Sequence, residues 1–303
     1  MNKVIVIAGP TASGKTGLGI EVAGAIGGEI ISADSMQVYK NMPIATAAPT
    51  DDEKSQAPHH LVEFLDNDKK FSVAQWCTLA KEKIDDIISR GKVPIVVGGT
   101  GLFIDSLVDN ISFEDVEVDE DLRQSLMKRD VDSLYDELLI VDKKAAENIH
   151  KNNKKRVVRA LELHYLGSSK TEQNENSQKE KSPYDFLYFV LQYENRQTLY
   201  DRINLRVDKM LENGLLDEAR AMQGKCQKTC AQAIGHKELA RYLNGEASLE
   251  ECAQKLKQES RRYAKRQITW FKRRQGAVFI SMDKLKGSAA KTVIDKCEDF
   301  LNG

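Results

Sequence analysis

The chain has 303 residues, of which 41% are apolar, so it is long enough for two domains or for one domain with a large insertion. Its formal net charge of −1 provides no whole-molecule field that would attract nucleic acid. The charge is unevenly spread, because residues 105–121 hold eight acidic and no basic side chains, whereas residues 255–274 hold nine basic and one acidic. The basic segment predicts either a polyanion-facing surface or a solvated helix face.

The first predicted strand, residues 4–7, runs directly into a glycine-rich turn. Residues 9–16 read Gly-Pro-Thr-Ala-Ser-Gly-Lys-Thr and fit the phosphate-binding P-loop pattern G-x-x-x-x-G-K-[ST]. The backbone N–H groups of such a loop form an anion nest at a helix N-terminus. Lys15 adds a charge for phosphate oxygens, and the Thr16 hydroxyl suits Mg²⁺. The motif predicts a bound di- or triphosphate but not the reaction. The alternative is a glycine-rich turn with a chance Lys-Thr pair.

Two further strands end in polar turns. A strand over 29–33 leads to Asp34, and a strand over 93–97 leads to Thr100. Because ligands collect beyond the carboxyl ends of strands in open α/β sheets, both side chains should lie on the same rim as the P-loop. Asp34 would act there as a general base or metal partner, or else as a helix N-cap. Thr100 would hydrogen-bond a ligand or cap the next helix.

The remaining chain alternates between helical segments and two more strands. Helices are predicted at 16–26, 72–90 (with Ser72 as N-cap and Gly91 as C-terminal stop), 121–129, 133–141, 143–150, 154–166, 196–213, 215–222 and 249–274. Strands are predicted at 186–191 and, as an edge strand, at 278–280. Residues 41–72 should be loop-rich, and the polar residues 167–182 predict a mobile loop. In the helix at 249–274, Leu256, Tyr263, Trp270 and Phe271 should face the core.

These elements predict an α/β fold, in which a P-loop NTPase-like parallel sheet is flanked by helices and carries an all-helical insertion domain. Residues 1–111 would form the first part of the catalytic core and residues 112–183 the insertion. Residues 184–303 would return to the core and add basic C-terminal helices.

Cysteine and histidine usage indicates no metal centre. The five cysteines (Cys77, Cys226, Cys230, Cys252 and Cys297) lack zinc-type spacing, so we expect reduced thiols in a cytoplasmic protein. The adjacent His59 and His60 would point to opposite sides of an extended segment, which makes a poor chelate. No apolar run approaches membrane-spanning length and no leader precedes the first strand, so we expect no membrane association.

A P-loop beside a carboxylate fits two reactions. One is phosphoryl transfer, with Asp34 orienting a hydroxyl. The other is transfer of a carbon group whose leaving group is diphosphate, with the P-loop and Mg²⁺ stabilising the departing charge. No clear purine pocket or Walker B strand is visible in the sequence, and the basic segments favour a large polyanionic acceptor.

Seven segments, taken in order, resemble the tRNA dimethylallyltransferases (tRNA isopentenyltransferases) over nearly the whole chain. The segments are 9–16, 34–39, 58–61, 98–102, 156–162, 233–238 and 262–270. The resemblance implies transfer of the dimethylallyl group from dimethylallyl diphosphate to N6 of adenosine 37 in tRNAs reading codons that begin with U. It also implies Mg²⁺ as cofactor and the tRNA anticodon stem-loop as partner. Nothing in the sequence suggests an obligate dimer, so we expect a monomer.

The resemblance further assigns roles to residues. Asp34 and Thr100 would be catalytic, Asp34 by accepting a proton or hydrogen bond from N6 and Thr100 by helping to fix the flipped adenine. The diphosphate would lie on Gly9, Pro10, Thr11, Ala12, Ser13, Gly14, Lys15 and Thr16, with Mg²⁺ at Thr16 and with Arg202 and Arg206 in reach. The tRNA would contact Asp34, Ser35, Met36, Gln37, Thr100, Arg123, Lys155, Arg156, Val157, Val158, Arg159, Gln232, Ala233, Ile234, Gly235, His236, Lys237, Lys265, Arg266, Gln267 and Trp270.

Four positions depart from the family pattern. Ala48 replaces a usual lysine, Phe103 and His236 replace common tyrosines, and Lys151 replaces a common proline. The missing lysine bears on the catalytic rate and on the range of tRNA substrates, and the zinc finger of larger relatives has no match here. Three alternatives stay open: prenylation of free adenine nucleotides, a P-loop kinase, and an RNA-binding protein whose site has decayed.

Overall fold

Within the part of the chain that the structure describes, one sheet of parallel strands organises the fold. The computed structural model describes residues 2–113, 119–172, 180–226, 229–285 and 287–303. The strands are β1 (Asn2–Ala8), β2 (Gly28–Ala33), β3 (His59–His60), β4 (Val93–Gly98), β5 (Tyr184–Gln192) and β6 (Val278–Ser281). They lie in the order β3-β2-β4-β1-β5-β6 and all pair in parallel. The predicted α/β class with a P-loop-type parallel sheet is confirmed.

Each helix whose bounds were predicted from the sequence is present, but the two C-terminal helices after residue 281 were not predicted. They are α1 (Lys15–Ile26), α2 (Pro43–Thr46), α3 (Asp51–Gln56), α4 (Val73–Ser89), α5 (Gly101–Val108), α6 (Glu120–Lys128), α7 (Val131–Val141), α8 (Lys143–Asn148), α9 (Lys154–Tyr165), α10 (Arg196–Glu212), α11 (Leu215–Met222), α12 (His236–Leu243), α13 (Leu249–Phe271), α14 (Met282–Leu285) and α15 (Ala289–Asn302). Ser72 caps α4 through a capping box with Gln75, and Gly91 follows the helix with a φ of 70°. The expectation of a loop-rich segment at 41–72 missed α2, α3 and β3, which are each too short to show a period.

The chain divides into two compact units, Met1–Val108 with Pro183–Gly303, and Asp109–Ser182. In the larger unit, apolar cores cover both faces of the sheet. One face packs Trp76, Ile84 and Phe103 from α4 and α5, and the other packs α1 and α15, with Val293 fully buried. Of the predicted mobile loop at 167–182, residues 173–179 lie outside the described residues.

The smaller unit has an apolar core and a nearly fully buried carboxylate, Glu162, beside it. Leu134, Leu138 and Leu161 pack together there. Glu162, only 1% exposed, accepts hydrogen bonds from Arg123 Nε at 2.5 Å and Nη2 at 2.8 Å and from Arg159 Nη1 at 3.1 Å. A bidentate arginine satisfies a buried carboxylate that would otherwise cost several kcal/mol. These contacts hold α6 against α9.

Glu29 at the start of β2 is a second buried carboxylate and yields a stability prediction. It accepts from Arg90 Nη1 at 2.5 Å and Nη2 at 2.8 Å and lies 2.8 Å from His60 Nε2. The hydrogen bonds from Arg90, opposed by burial, lower the pKa of Glu29 to about 2. We expect Glu29→Gln to lower the free energy of unfolding at neutral pH by about 1–3 kcal/mol.

The effect should depend on pH with a defined sign. Because the folded-state pKa lies below the unfolded value, the carboxylate stabilises the fold above pH 4.5 and loses this effect as the pH falls toward about 2. Urea unfolding across this range should therefore show the gap between wild type and Glu29→Gln narrowing with acidification. The exposed Glu82→Gln on α4 is the matched control. A gap that stays constant with pH would contradict the assignment.

Candidate functional site

The P-loop connects β1 to α1, and its glycines are required by geometry. Gly14, the N-cap of α1, has a φ of 94°, in the left-handed region that a Cβ disfavours. A Cβ on Gly9 would lie 2.9 Å from the backbone oxygen of Leu191 on β5. The loop thus passes close to the sheet and turns sharply into the helix, which aims its backbone N–H groups at one point.

Three cationic side chains contact this loop, and for two of them, Lys15 and Arg206, burial lowers the pKa. Lys15 Nζ donates to the Pro10 carbonyl at 2.7 Å, and Arg206 Nη1, on α10, donates to Thr11 Oγ1 at 3.0 Å. Burial, together with repulsion from Arg206 and against the attraction of Asp34, lowers the pKa of Lys15 to about 7. Burial likewise lowers the pKa of Arg206. The site therefore holds positive charge that is poorly solvated, which suits an anionic ligand.

Side chains from distant elements fix the shape of the loop. Arg202 Nε donates to the Ala12 carbonyl at 2.9 Å, and the Thr11 N–H donates to Gln267 Oε1 at 2.8 Å. Ser13 is fully buried, and its Oγ has no hydrogen-bond partner among the described residues. An unpaired buried hydroxyl is uncommon away from functional sites.

The ends of β2 and β4 place Asp34 and Thr100 side by side. The Ser35 N–H donates to Thr100 Oγ1 at 3.0 Å, and the Thr100 N–H donates to the Ala33 carbonyl at 3.1 Å. Asp34 Oδ1 accepts from the Met36 N–H at 2.8 Å, so this oxygen stabilises the turn. Because Oδ1 accepts this backbone hydrogen bond, Oδ2 is the carboxylate oxygen that a ligand would meet.

One cavity of about 940 Å³ in the larger unit connects the P-loop and Arg206 to Asp34, and next to Thr100 it is Gly99 that lines it. Its polar wall includes Lys15, Thr16, Asp34, Gly99, Arg206 and Tyr263. Its apolar wall includes Ala45, Ala48, Val207, Met210, Ile234 and Leu256. A cavity of this size, largely apolar with convergent polar groups at one end, is typical of a small-molecule site.

The residues that the resemblance assigned to tRNA fall into distinct environments. Ser35, Met36, Gln37, Gln232, Ile234 and Arg266 line the cavity, and Lys237 and Lys265 are exposed. In the smaller unit, Lys155 and Arg156 are exposed. Within each unit these side chains are accessible to a ligand, and their contact with a nucleic acid stays a prediction.

Five other residues that the resemblance assigned to tRNA are buried. Val157 and Val158 lie in the core of the smaller unit, because they occupy the inward face of α9. Ala233 and Gly235 are buried beneath the turn that they form. Gln267 is 5% exposed, and both ends of its amide bind backbone groups. Ala233 and Gln267 nevertheless line the cavity, and the tRNA contacts assigned to these five residues stay predictions.

Four further residues that were predicted to contact tRNA make hydrogen bonds within the protein. Arg123 and Arg159 bind Glu162 as described above. The Gln37 amide accepts from Ser32 Oγ at 2.8 Å and donates to the Ala47 carbonyl at 2.8 Å. The His236 side chain, 9% exposed, contacts Glu218 Oε1 at 2.8 Å.

Trp270 departs from its predicted place in the core. It is 36% exposed, and its Nε1 donates to Asp105 Oδ2 at 2.6 Å. The ring lies against Gly101, where an added Cβ would be 2.3 Å from Cδ1. Leu256 and Phe271 are buried as predicted.

Two site residues were missed by sequence reasoning. Tyr263 lines the cavity near Asp34 and Thr100, and burial raises its pKa. The sequence period placed it in the core, and its hydroxyl was the one available hint of a polar neighbour. Glu218 accepts from the N–H groups of Ile44 at 2.7 Å and Ala45 at 2.9 Å, and so caps α2 in the cavity wall. No sequence signal pointed to it.

The expectation of five reduced thiols is wrong for two of them. Cys226 and Cys230 are joined by a disulfide, with their Cα atoms 5.2 Å apart. Cys77, Cys252 and Cys297 are free and buried. Within the described ranges, no group of three His, Cys, Asp or Glu residues could hold a metal ion, and no helix is long and apolar enough to cross a membrane.

Comparison with known proteins gives concordant matches. The family model described as "IPP transferase" matches residues 37–274, and the model "Isopentenyl transferase" matches residues 2–70. The chain is 46% identical over 292 residues to the tRNA dimethylallyltransferase of Acetivibrio thermocellus, covering 94% of this chain and 93% of that protein. It is 44% identical to the enzyme of Halalkalibacterium halodurans, with 92% and 91% covered.

Solved structures agree with the sequence matches. The full-length tRNA isopentenylpyrophosphate transferase from Bacillus halodurans has a TM-score of 0.72 and 39% identity, with 100% of both chains covered. A eukaryotic dimethylallyltransferase studied acting on tRNA has a TM-score of 0.84 and 32% identity, with 100% of this chain and 80% of that chain covered.

Lys15 should take up a proton when an anion binds. Because its pKa is about 7, most Lys15 side chains are neutral at about pH 8 in the free protein, and a diphosphate beside them favours the charged form. We expect the enthalpy of inorganic diphosphate binding at this pH to vary with the ionisation enthalpy of the buffer. Lys15→Arg, which stays charged, is the control for protons released or taken up by the ligand. Equal proton uptake in both proteins would contradict the assignment.

Proposed function

The chain belongs to the tRNA dimethylallyltransferase family, and we propose that it transfers the dimethylallyl group from dimethylallyl diphosphate to N6 of adenosine 37 in tRNAs that read codons beginning with U. The observation that carries this proposal is one cavity that joins a phosphate-binding loop to the Asp34 carboxylate. A prenyl diphosphate matches both parts of this cavity. Its anionic diphosphate suits the loop, and its electrophilic carbon would face a nucleophile beside Asp34.

The diphosphate would occupy the P-loop. Its oxygens would accept from the backbone N–H groups of the loop and from Lys15 and Arg206, whose charges lack full solvation in the free protein. As the N6 lone pair attacks C1 of the dimethylallyl group, the C1–O bond breaks and its electrons pass to the diphosphate. The two cations are placed where this negative charge develops.

Asp34 would serve the acceptor. With Oδ1 held by the Met36 N–H, Oδ2 can accept a hydrogen bond and then the proton from N6. Proton removal keeps the attacking nitrogen from carrying a full positive charge. The adenine must leave the anticodon-loop stack to reach this depth, which costs less in a single-stranded loop than in a duplex.

The donor set at the P-loop fits Mg²⁺. Thr16 offers a hard hydroxyl oxygen to the cavity, and no cluster of three acidic, cysteine or histidine ligands occurs among the described residues. Mg²⁺ favours such sites, in which substrate phosphates and water supply most ligands. When bound at Thr16, the ion would neutralise charge on the leaving diphosphate.

The tRNA would be held by exposed cations. Lys265, Lys272 and Arg273 on and after α13 are exposed, and Arg266 extends from the same helix to the cavity wall. Such contacts supply affinity and register more than sequence specificity. We further propose that the enzyme acts as a monomer in the cytoplasm, where tRNA maturation would give it its substrate.

The direct test is one incubation of the protein with Mg²⁺, dimethylallyl diphosphate and unmodified tRNA, followed by nucleoside mass spectrometry. We expect a dimethylallyl mass on adenosine 37 and none on a tRNA carrying guanosine at that position. Free adenine nucleotides and ATP are tested in parallel. Product only with free nucleotides, or phosphoryl transfer from ATP, would replace the proposal with one of the alternatives.

Asp34→Asn should separate chemistry from binding. The amide oxygen can still accept from the Met36 N–H, so the turn persists, but the amide cannot take the N6 proton. We expect single-turnover prenyl transfer to fall by about 10²–10⁴-fold, the usual contribution of a general base. Filter-binding affinity for tRNA should stay near that of wild type. A variant that loses tRNA binding in proportion to activity would contradict the role.

The exposed cations of α13 should carry a salt-dependent share of tRNA affinity. We expect Lys265→Gln combined with Arg266→Gln to weaken binding and to reduce the slope of log affinity against log salt, by about 0.7–0.9 for each phosphate that the protein no longer neutralises. Lys291→Gln combined with Lys296→Gln on α15, also exposed, is the charge-matched control. Equal slopes for the two double variants would rule out this surface.

A further inference from the structure

One buried amide joins the two halves of the site. Gln267 on α13 is 5% exposed. Its Oε1 accepts from the Thr11 N–H at 2.8 Å, and its Nε2 donates to the Gly99 carbonyl at 2.9 Å. The side chain thereby connects the P-loop to the turn after β4, which are about 90 positions apart in sequence and meet only at the rim of the sheet.

The connection has little slack. A Cβ on Gly99 would lie 2.3 Å from Gln267 Nε2 and 3.4 Å from the Gly9 carbonyl. One turn further along α13, a Cβ on Gly101 would meet the Trp270 ring at 2.3 Å. Glycine at these two positions lets α13 pack directly against the turn after β4. A shift of the P-loop would therefore displace this turn, and a shift of the turn would displace the P-loop.

Each end of the amide adjoins a group with a proposed chemical role. Thr11 belongs to the donor loop, and its Oγ1 accepts from Arg206. Gly99 precedes Thr100, whose hydroxyl holds the Ser35 N–H next to Asp34. Gln267 therefore links the diphosphate side and the adenine side of the cavity through a single side chain.

We propose that Gln267 is a positioning residue that keeps the donor carbon aligned with the acceptor nitrogen, so that C1 is attacked by N6 and not by water. This inference rests on the proposed function. In the productive step, the N6–C1 bond forms, the C1–O bond breaks and the N6 proton leaves to Asp34. In the competing step, a water oxygen forms the bond to C1, its proton passes to solvent, and dimethylallyl alcohol and diphosphate are released.

Misalignment should raise the share of the competing step. Displacement of a reacting group by about 1 Å can cost about 10²-fold in rate, whereas water in the cavity needs no such alignment. The ratio of diphosphate released to prenylated tRNA formed therefore reports on position. A purely structural role would change folding or binding and leave this ratio at one to one.

Three variants disrupt the pair of hydrogen bonds by which Gln267 bridges the P-loop and the turn after β4, each in a different way. Gln267→Glu can still accept from the Thr11 N–H but cannot donate to the Gly99 carbonyl. Gln267→Met keeps the approximate volume and loses both hydrogen bonds. Gly99→Ala leaves Gln267 in the sequence but forces its Nε2 away. For each, we expect the transfer kcat to fall about 10–100-fold, with the KM for tRNA within about threefold of wild type. The release ratio should rise clearly above one.

A double-mutant cycle tests whether the two positions act through the same hydrogen bond. If Gly99→Ala acts by displacing the amide, then adding it to Gln267→Ala should change the release ratio little beyond the single variant, because the bridge is already absent. Additive effects on the ratio would overturn the assignment. Thermal denaturation and the affinity for inorganic diphosphate are measured on every variant to establish that it is folded.

The two proposals fail in distinguishable ways. A wild-type protein that forms no prenylated tRNA would overturn the proposed function, and this inference with it. An active wild type accompanied by Gln267→Glu, Gln267→Met and Gly99→Ala variants with a one-to-one ratio would overturn the inference alone. If Gln267→Met fails to fold, the other two variants, which keep a polar side chain at 267, decide the outcome.

Discussion

The parallel register of three strands is the constraint on which the site depends. Ala8 of β1 and Ala33 of β2 both pair with Gly98 of β4, so the three strands end at one level. A Cβ on Gly98 would lie 2.1 Å from the Ala33 carbonyl, and only glycine allows this close approach. The residues that follow are the P-loop, Asp34 and the Thr100 turn. Backbone hydrogen bonds of the sheet, and not flexible loops, therefore set the distance between the P-loop and the two polar turns at Asp34 and Thr100.

Electrostatics at this rim favours the ligand over the empty site. Lys15 and Arg206 lose solvation and repel each other, and Asp34 offsets only part of this cost, which is why the pKa of Lys15 falls to about 7. A diphosphate would supply negative charge where the protein holds positive charge poorly solvated. Part of this unfavourable energy would be relieved when the diphosphate binds, and only the remaining part could be relieved as charge accumulates on the leaving group. Without a ligand, the shape of the loop depends on hydrogen bonds from other elements, such as the one that Gln267 accepts from the Thr11 N–H and the one that Arg202 donates to the Ala12 carbonyl.

Most of the fold could be predicted because its signals are local. The P-loop, the strands at 4–7 and 186–191, and the Ser72 cap each follow from a few neighbouring residues. The environment of site residues depends on tertiary contacts, which sequence period cannot resolve. Gln267 lies among exposed cations in the sequence, yet α13 turns it inward toward Gly99. Resemblance identifies segments that matter, but it does not separate a residue that contacts the ligand from one that supports the contact, as Val157 and Val158 show.

Ion pairing explains why the count of basic residues overstated the length of the basic surface. In the first half of α13, Lys255 and Arg262 pair with Glu259, and Lys257 pairs with Asp208. Toward its end, Lys265, Arg266, Lys272 and Arg273 have no ion-pair partner among the described residues. Surface pairs add little stability, but they cancel much of the field that a polyanion would feel at a distance. The attractive charge is therefore concentrated at the end of α13 that bears Gln267 and adjoins the cavity. A nucleic acid drawn there would meet the helix whose inward face links the two halves of the site.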